Sequence, residues 1–269
     1  MNQAERKTDF ETIEAFTDTY SHLQAELQWL DSIIERRVLS FRQSATRDAM
    51  FVGADLTHIS DAEVDWLLHK PHTFSDVASV EIRHKITAQR QRIMASLHES
   101  KMRGIDLPLV QLAQYFDLSW LELNIVLLCL APELRRKYDR IYAYLQDDIS
   151  RKRPSLDLAL ELFVDNEQER WYARSLLGED SSLFVHGLLQ TIDDGQSPSG
   201  SSGLSRMLRL DQRILQFIMG SPAPDSRLSE YLQTIPLTDY RSKGHSAASE
   251  SLQRQIEASL RTNTTADAP

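Results

Sequence analysis

One cysteine in 269 residues cannot staple a fold, and Cys129 lies inside the most apolar stretch of the chain, where a free thiol is most simply a small buried hydrophobe. A reducing, cytoplasmic setting is the expectation. Also lacking is the glycine-rich element ending in Gly-Lys-Ser/Thr that cradles phosphates, because none of the seven lysines directly follows a glycine and such a loop needs that lysine beside its backbone amides. The chain is therefore expected not to be an enzyme, and to carry no cofactor. No excess of basic charge is present: the net charge is −9 and the pI ≈ 5.4, which argues against a general phosphate-binding surface. Nucleic acid is not the expected partner. Met1 to Lys7 leads into acidic and polar residues rather than the apolar core of a signal peptide, and no run is long enough to span a membrane. With 41% apolar and 26% charged residues, the chain can still bury a sizeable core, in one large domain or two small ones.

The most informative stretch runs from Leu107 to Phe163. Ser119 followed three residues later by Glu122 is a capping box, in which hydroxyl and carboxylate each satisfy an amide at the helix start. From Leu121 to Leu130 the helix is apolar on nearly every side, which suits burial within protein. Pro132 lacks a donor and clashes with the preceding turn, so the helix is expected to end or kink there and a second to begin at Glu133, with Leu134, Tyr138, Ile141 and Leu145 on its inner face.

Upstream, Ile13, Phe16, Tyr20, Leu23, Leu27, Leu30 and Ile34 recur in steps of three and four, and no proline or glycine interrupts Asp9 to Val52. One long helix over about residues 11–39 is expected, with residues 76–102 as its partner through Ile82, Ile86, Ile93 and Leu97, although Gln89 and Arg90 interrupt that stripe. An intrachain antiparallel hairpin is preferred to a coiled coil between chains. Between the two, Ser60 and Glu63 open a short crossover helix that Pro71 stops. Downstream, Gly104 ends the second long helix and Pro108 opens another, with Leu109, Leu112, Ala113 and Phe116 inward. Helices then start at Pro154 and near Glu167, the latter carrying Trp171 and Leu176 and ending at Gly178. The second half of residues 183–192 reads as a strand, residues 196–203 as a loop, residues 204–210 as the returning strand, and residues 211–219 as a helix capped by Asp211. Helix, helix, strand, loop, strand is the order of a winged helix.

The expected fold is mainly α: a long helical hairpin plus a helical bundle, with a winged-helix-like domain carrying a small β-hairpin. Residues 1–104 form the hairpin with its crossover helix, 105–153 the central core, 154–235 the winged-helix-like domain, and 236–269 a polar linker or disordered tail. Catalytic candidates are weak. His69 and His72 are separated by Pro71, which breaks the helix that would aim both at one metal, so no metal site is assigned. Asp147 and Asp148, like Asp193 and Asp194, end elements where short polar side chains favour turns. Gly200 to Gly203 lies in a low-complexity loop rather than in a nucleophile turn. Arg151, Lys152, Arg153, Arg206, Arg209 and Arg213 form the candidate interaction surface, and would reach phosphates only if they converged. The helix from Glu167 sets Arg170 and Arg174 against Glu167 and Glu169, which is not a dense basic face, and Trp171 is expected in the core.

The ordered series of segments around Ile59 to Asp65, Leu107 to Ala113, Leu127 to Leu134, Tyr142 to Asp148, Arg153 to Leu160, His186 to Leu189 and Leu210 to Ile214 resembles the N-terminal, winged-helix-containing region of bacterial AAA+ ATPases associated with phage-tail-like contractile injection systems. The resemblance covers about residues 29–231. In that family AAA+ modules follow this region and form a ring, commonly a hexamer. Those modules are not within these residues, so no nucleotide-binding residue is carried over, and ATPase activity is expected only in a longer parent or a partner chain. What the resemblance implies is a non-catalytic region that recruits a protein partner or substrate, contacts the AAA+ modules and assembles as a homo-oligomer. The alternatives are a winged-helix DNA-binding regulator and a coiled-coil structural adaptor.

Overall fold

The structure is a computed structural model and describes residues 14–48, 80–178, 180–192 and 203–221. The expected crossover helix before Pro71, His69 and His72, Ile13, the acidic pair Asp193 and Asp194, the loop from Gln196 to Ser202 and the tail from residue 236 lie outside the described residues.

Helix α1 spans Thr19–Asp48. It starts later than the periodicity predicts, because Asp18 caps it: the Ser21 amide donates to Asp18 Oδ1 at 2.7 Å, and Ser21 Oγ accepts from the Asp18 amide at 3.3 Å. The donors from Ser21 hold the Asp18 carboxyl below its usual value. Leu23, Leu27, Leu30 and Ile34 are buried as the stripe requires, whereas Tyr20 is exposed. Helix α2, Val80–Met102, returns antiparallel. Phe16 N donates to Ser100 Oγ at 2.8 Å, Arg90 binds Glu26 at 3.0 Å and Lys85 binds Glu35 at 3.1 Å, so the partners run in opposite directions along the pair. The hairpin forms within one chain.

Arg90, which breaks the apolar stripe in the sequence, is the cation that neutralises Glu26, a carboxylate only 4% exposed. Its guanidinium also lies over the Trp29 ring, 4.8 Å from the centroid, a favourable stacking arrangement. Leaving Glu26 buried without that partner would cost about 3–5 kcal/mol.

Helices α3 (Pro108–Tyr115), α4 (Trp120–Leu134) and α5 (Lys137–Leu145) follow. The capping box of α4 is present, with Ser119 N donating to Glu122 Oε2 at 2.9 Å and Ser119 Oγ accepting from Glu122 N at 3.3 Å. Every residue from Asn124 to Pro132 is buried, which makes α4 the centre of the core. Pro132 neither ends α4 nor begins the next helix; α4 runs through it to Leu134, and α5 starts at Lys137. The reason is chemical. A residue with an amide at position 132 would bond the Leu128 carbonyl, and proline cannot. Tyr142 Oη donates to that same carbonyl at 2.9 Å, from a fully buried side chain on α5. The orphaned acceptor is satisfied from outside the helix, so Pro132 is tolerated. Burial raises the Tyr142 and Tyr138 hydroxyls well above ordinary phenol values, keeping both as neutral donors. Tyr138 Oη donates to Asp31 Oδ1 at 2.8 Å and so ties α5 to α1.

The remaining elements are α6 (Leu156–Phe163), α7 (Glu167–Leu176), a single turn α8 (Ser182–Val185), β1 (Leu189–Ile192), a 3-10 turn (Gly203–Ser205), β2 (Met207–Leu210) and α9 (Gln212–Ile218). The strands pair antiparallel, Leu189 opposite Leu210 and Ile192 opposite Met207. The second half of residues 183–192 is the expected strand, β1, which Gly187, at φ +62°, leads into from the helical turn at 182–185. One expectation shifts. The returning strand starts at Met207, where pairing with Ile192 begins, and residues 203–205 form the 3-10 turn instead. A third extended segment joins the hairpin: Ser155 bridges Met207 antiparallel, and Leu208 N donates to the Pro154 carbonyl at 2.7 Å.

One cluster of buried hydrophobes runs from Leu23 to Ile218. Trp29 stacks on Phe163 at 6.2 Å and Trp120 meets the same ring edge-on at 6.1 Å, joining α1, α4 and α6 through aromatic contacts. At the far end of α6, Arg36 donates to the Leu162 carbonyl at 3.1 Å and pairs with Asp165 at 3.0 Å. The long helix thereby holds the turn that aims α7.

Candidate functional site

Segment 154–155, α6, α7, β1 and β2 reproduce the layout of a winged helix: a short strand, two helices joined by a tight turn, and a hairpin whose returning strand pairs with the short one. In this layout α7 occupies the position of the recognition helix. Asn166 starts it, with Oδ1 accepting from Glu169 N at 2.7 Å, and Ala173 and Leu177 point inward and are buried.

That inward pair sets the outward face. Trp171 is 75% exposed, Tyr172 62% and Leu176 72%. The expectation that Trp171 belongs to the core is overturned. With Ala173 and Leu177 inward, a turn of about 3.6 residues puts positions 171, 172 and 176 toward solvent, and Phe163 already fills the space between Trp29 and Trp120. Gln168, Trp171, Tyr172, Ser175 and Leu176 form an exposed face without a charge, in a chain with 26% charged residues. The charges lie outside it: Glu167 and Glu169 in the first turn, half-buried Arg170 next, and Arg174 in the last turn. The signal was present in the sequence, since an inward Ala173 and Leu177 at four-residue spacing already implies an outward Trp171.

The six basic candidates do not make one patch of free cations. Arg151 donates to the Ser205 carbonyl at 3.3 Å and pairs with Asp148 at 3.4 Å, which brings its loop beside the start of β2. Arg153 pairs with Glu133 at 2.7 Å. Arg209 projects outward from β2 and donates to Gln190 Oε1 at 3.1 Å. Arg213 is half-buried on α9. Arg206 is exposed, next to Ser205. Lys152 is exposed and borders an open hollow of ≈ 790 Å³ lined also by Arg136, Asp139, Arg140, Tyr144 and Asp147, where cations and carboxylates alternate. The structure thus ties Arg151 to Ser205, the residue before Arg206, and engages Arg153 in its own ion pair.

Asp147 sits at φ +51° and Asp148 accepts from Ser150 Oγ at 2.6 Å and Ser150 N at 2.8 Å. Those donors hold the Asp148 carboxyl below its usual value. This is a turn, held by the Asp147 backbone and by the Asp148 carboxylate, which also pairs with Arg151 at 3.4 Å. Cys129 is 1% exposed and burial pushes its thiol up, so it is not poised as a nucleophile. Among the described residues no group of three or more His, Cys, Asp or Glu could hold a metal ion, and no helix is long and apolar enough to cross a membrane.

Mainly helical, with a two-stranded hairpin after a pair of helices, the fold defines a winged-helix protein. The chain belongs to the winged helix domain, variant family, whose model matches residues 4–232. No curated protein and no solved structure matches the chain.

Proposed function

We propose that this chain is the non-catalytic, protein-recruiting N-terminal region of a cytoplasmic AAA+ ATPase linked to a contractile injection system, and that it also contributes to assembling the ring. The resemblance of the motif series supports the family link. The observation that carries the recruiting role is the uncharged face of α7, with Trp171, Tyr172 and Leu176 all more than 60% exposed. A helix that docks in a DNA groove needs cations to meet phosphates and polar groups to read base edges. One that docks on protein is favoured by aromatic anchors in an uncharged centre with charges at the rim. Nucleotide turnover belongs, in this reading, to AAA+ modules in a longer parent or partner chain.

A second reading, a DNA-binding regulator, draws on the winged-helix fold and on two exposed cations, Arg206 just before β2 and Arg209 within it. Titrating the purified chain against a labelled duplex at low salt separates the two. We expect no saturable binding at micromolar concentration. Salt-dependent binding lost in an Arg206→Ala/Arg209→Ala variant would promote the regulator. Titration with ATP tests the non-catalytic half, and micromolar affinity with turnover would overturn it.

A further inference from the structure

Charge along α7 is ordered, and the order says how a partner would lie. Its ten residues span about 15 Å. Glu167 and Glu169 stand in the first turn, one at each edge of the uncharged face; Arg170, half-buried, lies off that face, and Arg174 stands at one edge of the last turn. This arrangement suits the helix's own dipole, which favours carboxylates at the N-terminus and cations at the C-terminus. A partner helix that obeys the same rule has acids first and bases last. Laid antiparallel on α7, its acidic end meets Arg174 and its basic end meets Glu167 and Glu169. Laid parallel, it sets acid against acid and faces Arg174 with a base.

Resting on the recruiting role proposed above, we infer that α7 binds an amphipathic helix of a protein partner in antiparallel orientation, apolar stripe against Trp171, Tyr172 and Leu176, carboxylates at the Arg174 end and cations at the Glu167 and Glu169 end. The apolar centre supplies the attraction, as it does in helix-in-groove recognition. The flanking charges choose direction, because like charges placed opposite each other disfavour the wrong one. Tyr172 carries a hydroxyl and Trp171 an indole N–H, so each aromatic ring can bury its apolar body while its polar atom keeps a partner.

The test uses the full chain and a displayed library of helical peptides of about fourteen residues, long enough to cover α7. Apolar residues are fixed at one stripe, and the flanking positions vary among Glu, Lys and Ser. We expect recovered peptides to carry acids in the first turn and bases in the last. Their affinity should fall about tenfold or more with Trp171→Ala/Leu176→Ala, as loss of an interface anchor does. Arg174→Glu should shift the preference toward peptides with a base in the first turn. Ile149→Ala, a change at an apolar side chain 88% exposed on another loop, should leave affinity unchanged. If the recovered peptides depend on Trp171 and Leu176 but show no charge order, or the reverse order, the antiparallel assignment fails and the recruiting reading stands. If no peptide is recovered, or recovered peptides ignore the Trp171→Ala/Leu176→Ala change, α7 is not a docking face and both fail.

Discussion

Helices α4 and α7 are both short, both begin at a polar cap, and both carry tryptophan and leucine, yet their apolar residues have opposite fates. In α4 the whole run from Asn124 to Pro132 is buried. In α7 only Ala173 is buried, followed by Leu177 just past its end, while Trp171, Tyr172 and Leu176 face solvent. Neighbours make the difference. α4 is packed by α1, α5, α6 and β2, whereas α7 lies against α6, with Ala173 and, just past its end, Leu177 buried. Apolar surface in α4 is already removed from water and holds the fold together; the same surface in α7 remains available to something else.

The sharpest way to break this comparison is to truncate one leucine in each helix. Leu128→Ala, at a side chain fully buried in α4, should cost about 2–5 kcal/mol, transfer and cavity terms together. Urea unfolding monitored by far-UV circular dichroism measures it, and a loss no larger than that of an exposed leucine would mean that α4 is not the centre of the core.

Next in size is the hydroxyl that serves Pro132. Tyr142→Phe leaves the Leu128 carbonyl buried without a donor and should cost about 1–3 kcal/mol. In a Pro132→Ala background the backbone regains that donor, and the same Tyr142→Phe change should cost less. A double-mutant cycle reports the coupling; strictly additive changes would show that the two groups do not serve one acceptor.

That pair also marks the boundary of what local sequence could reveal. The Ser119 and Glu122 box, the Asp211 cap and the all-round apolar character of α4 depend on residues within a few positions, and each is legible in the sequence. Pro132 suggests an end or a kink in the sequence because its rescuer sits ten positions away on another helix, beyond the reach of local rules. Arg90 interrupts the stripe in the sequence for a similar reason: its partner Glu26 is on α1, and only pairing of the two helices turns the pair into one contact. The short strand at Ser155 has no sequence signal, because a single bridge leaves no alternating pattern. At the candidate site, six basic residues stand out by their type alone, whereas the exposed face of α7 emerges only when inward and outward positions are compared. Aromatic residues are buried often enough that residue type alone places Trp171 inward, while the spacing of Ala173 and Leu177 places it outward.

A milder perturbation tests how independently α7 is held. Asn166→Ala removes the side chain that caps its first turn and should cost about 1 kcal/mol. Because α7 has so little buried surface, much of that loss should appear as local opening, with faster amide exchange confined to its first turn. Ser119→Ala removes a comparable cap from α4. There the surrounding core should keep exchange slow beyond the first turn, and equal fraying of both helices would erase the contrast between them.

The smallest expected effect on stability is the most telling about function. Trp171→Ala should change unfolding free energy by no more than about 0.5 kcal/mol, the range for surface substitutions that remove no buried contact. Trp171→Phe offers a direct optical check on its position in the free chain. Of the tryptophans in the described residues, Trp29 is 2% exposed and Trp120 50% against 75% for Trp171, so iodide should quench Trp171 more readily than either. Replacing it should lower the quenchable fraction while leaving the thermal midpoint where it was. A quenchable fraction that stays the same would return Trp171 to the interior and remove the docking face. If the fraction falls as expected, a large solvated tryptophan that contributes nothing to folding sits where winged helices make their contacts, and its effect must be sought in binding.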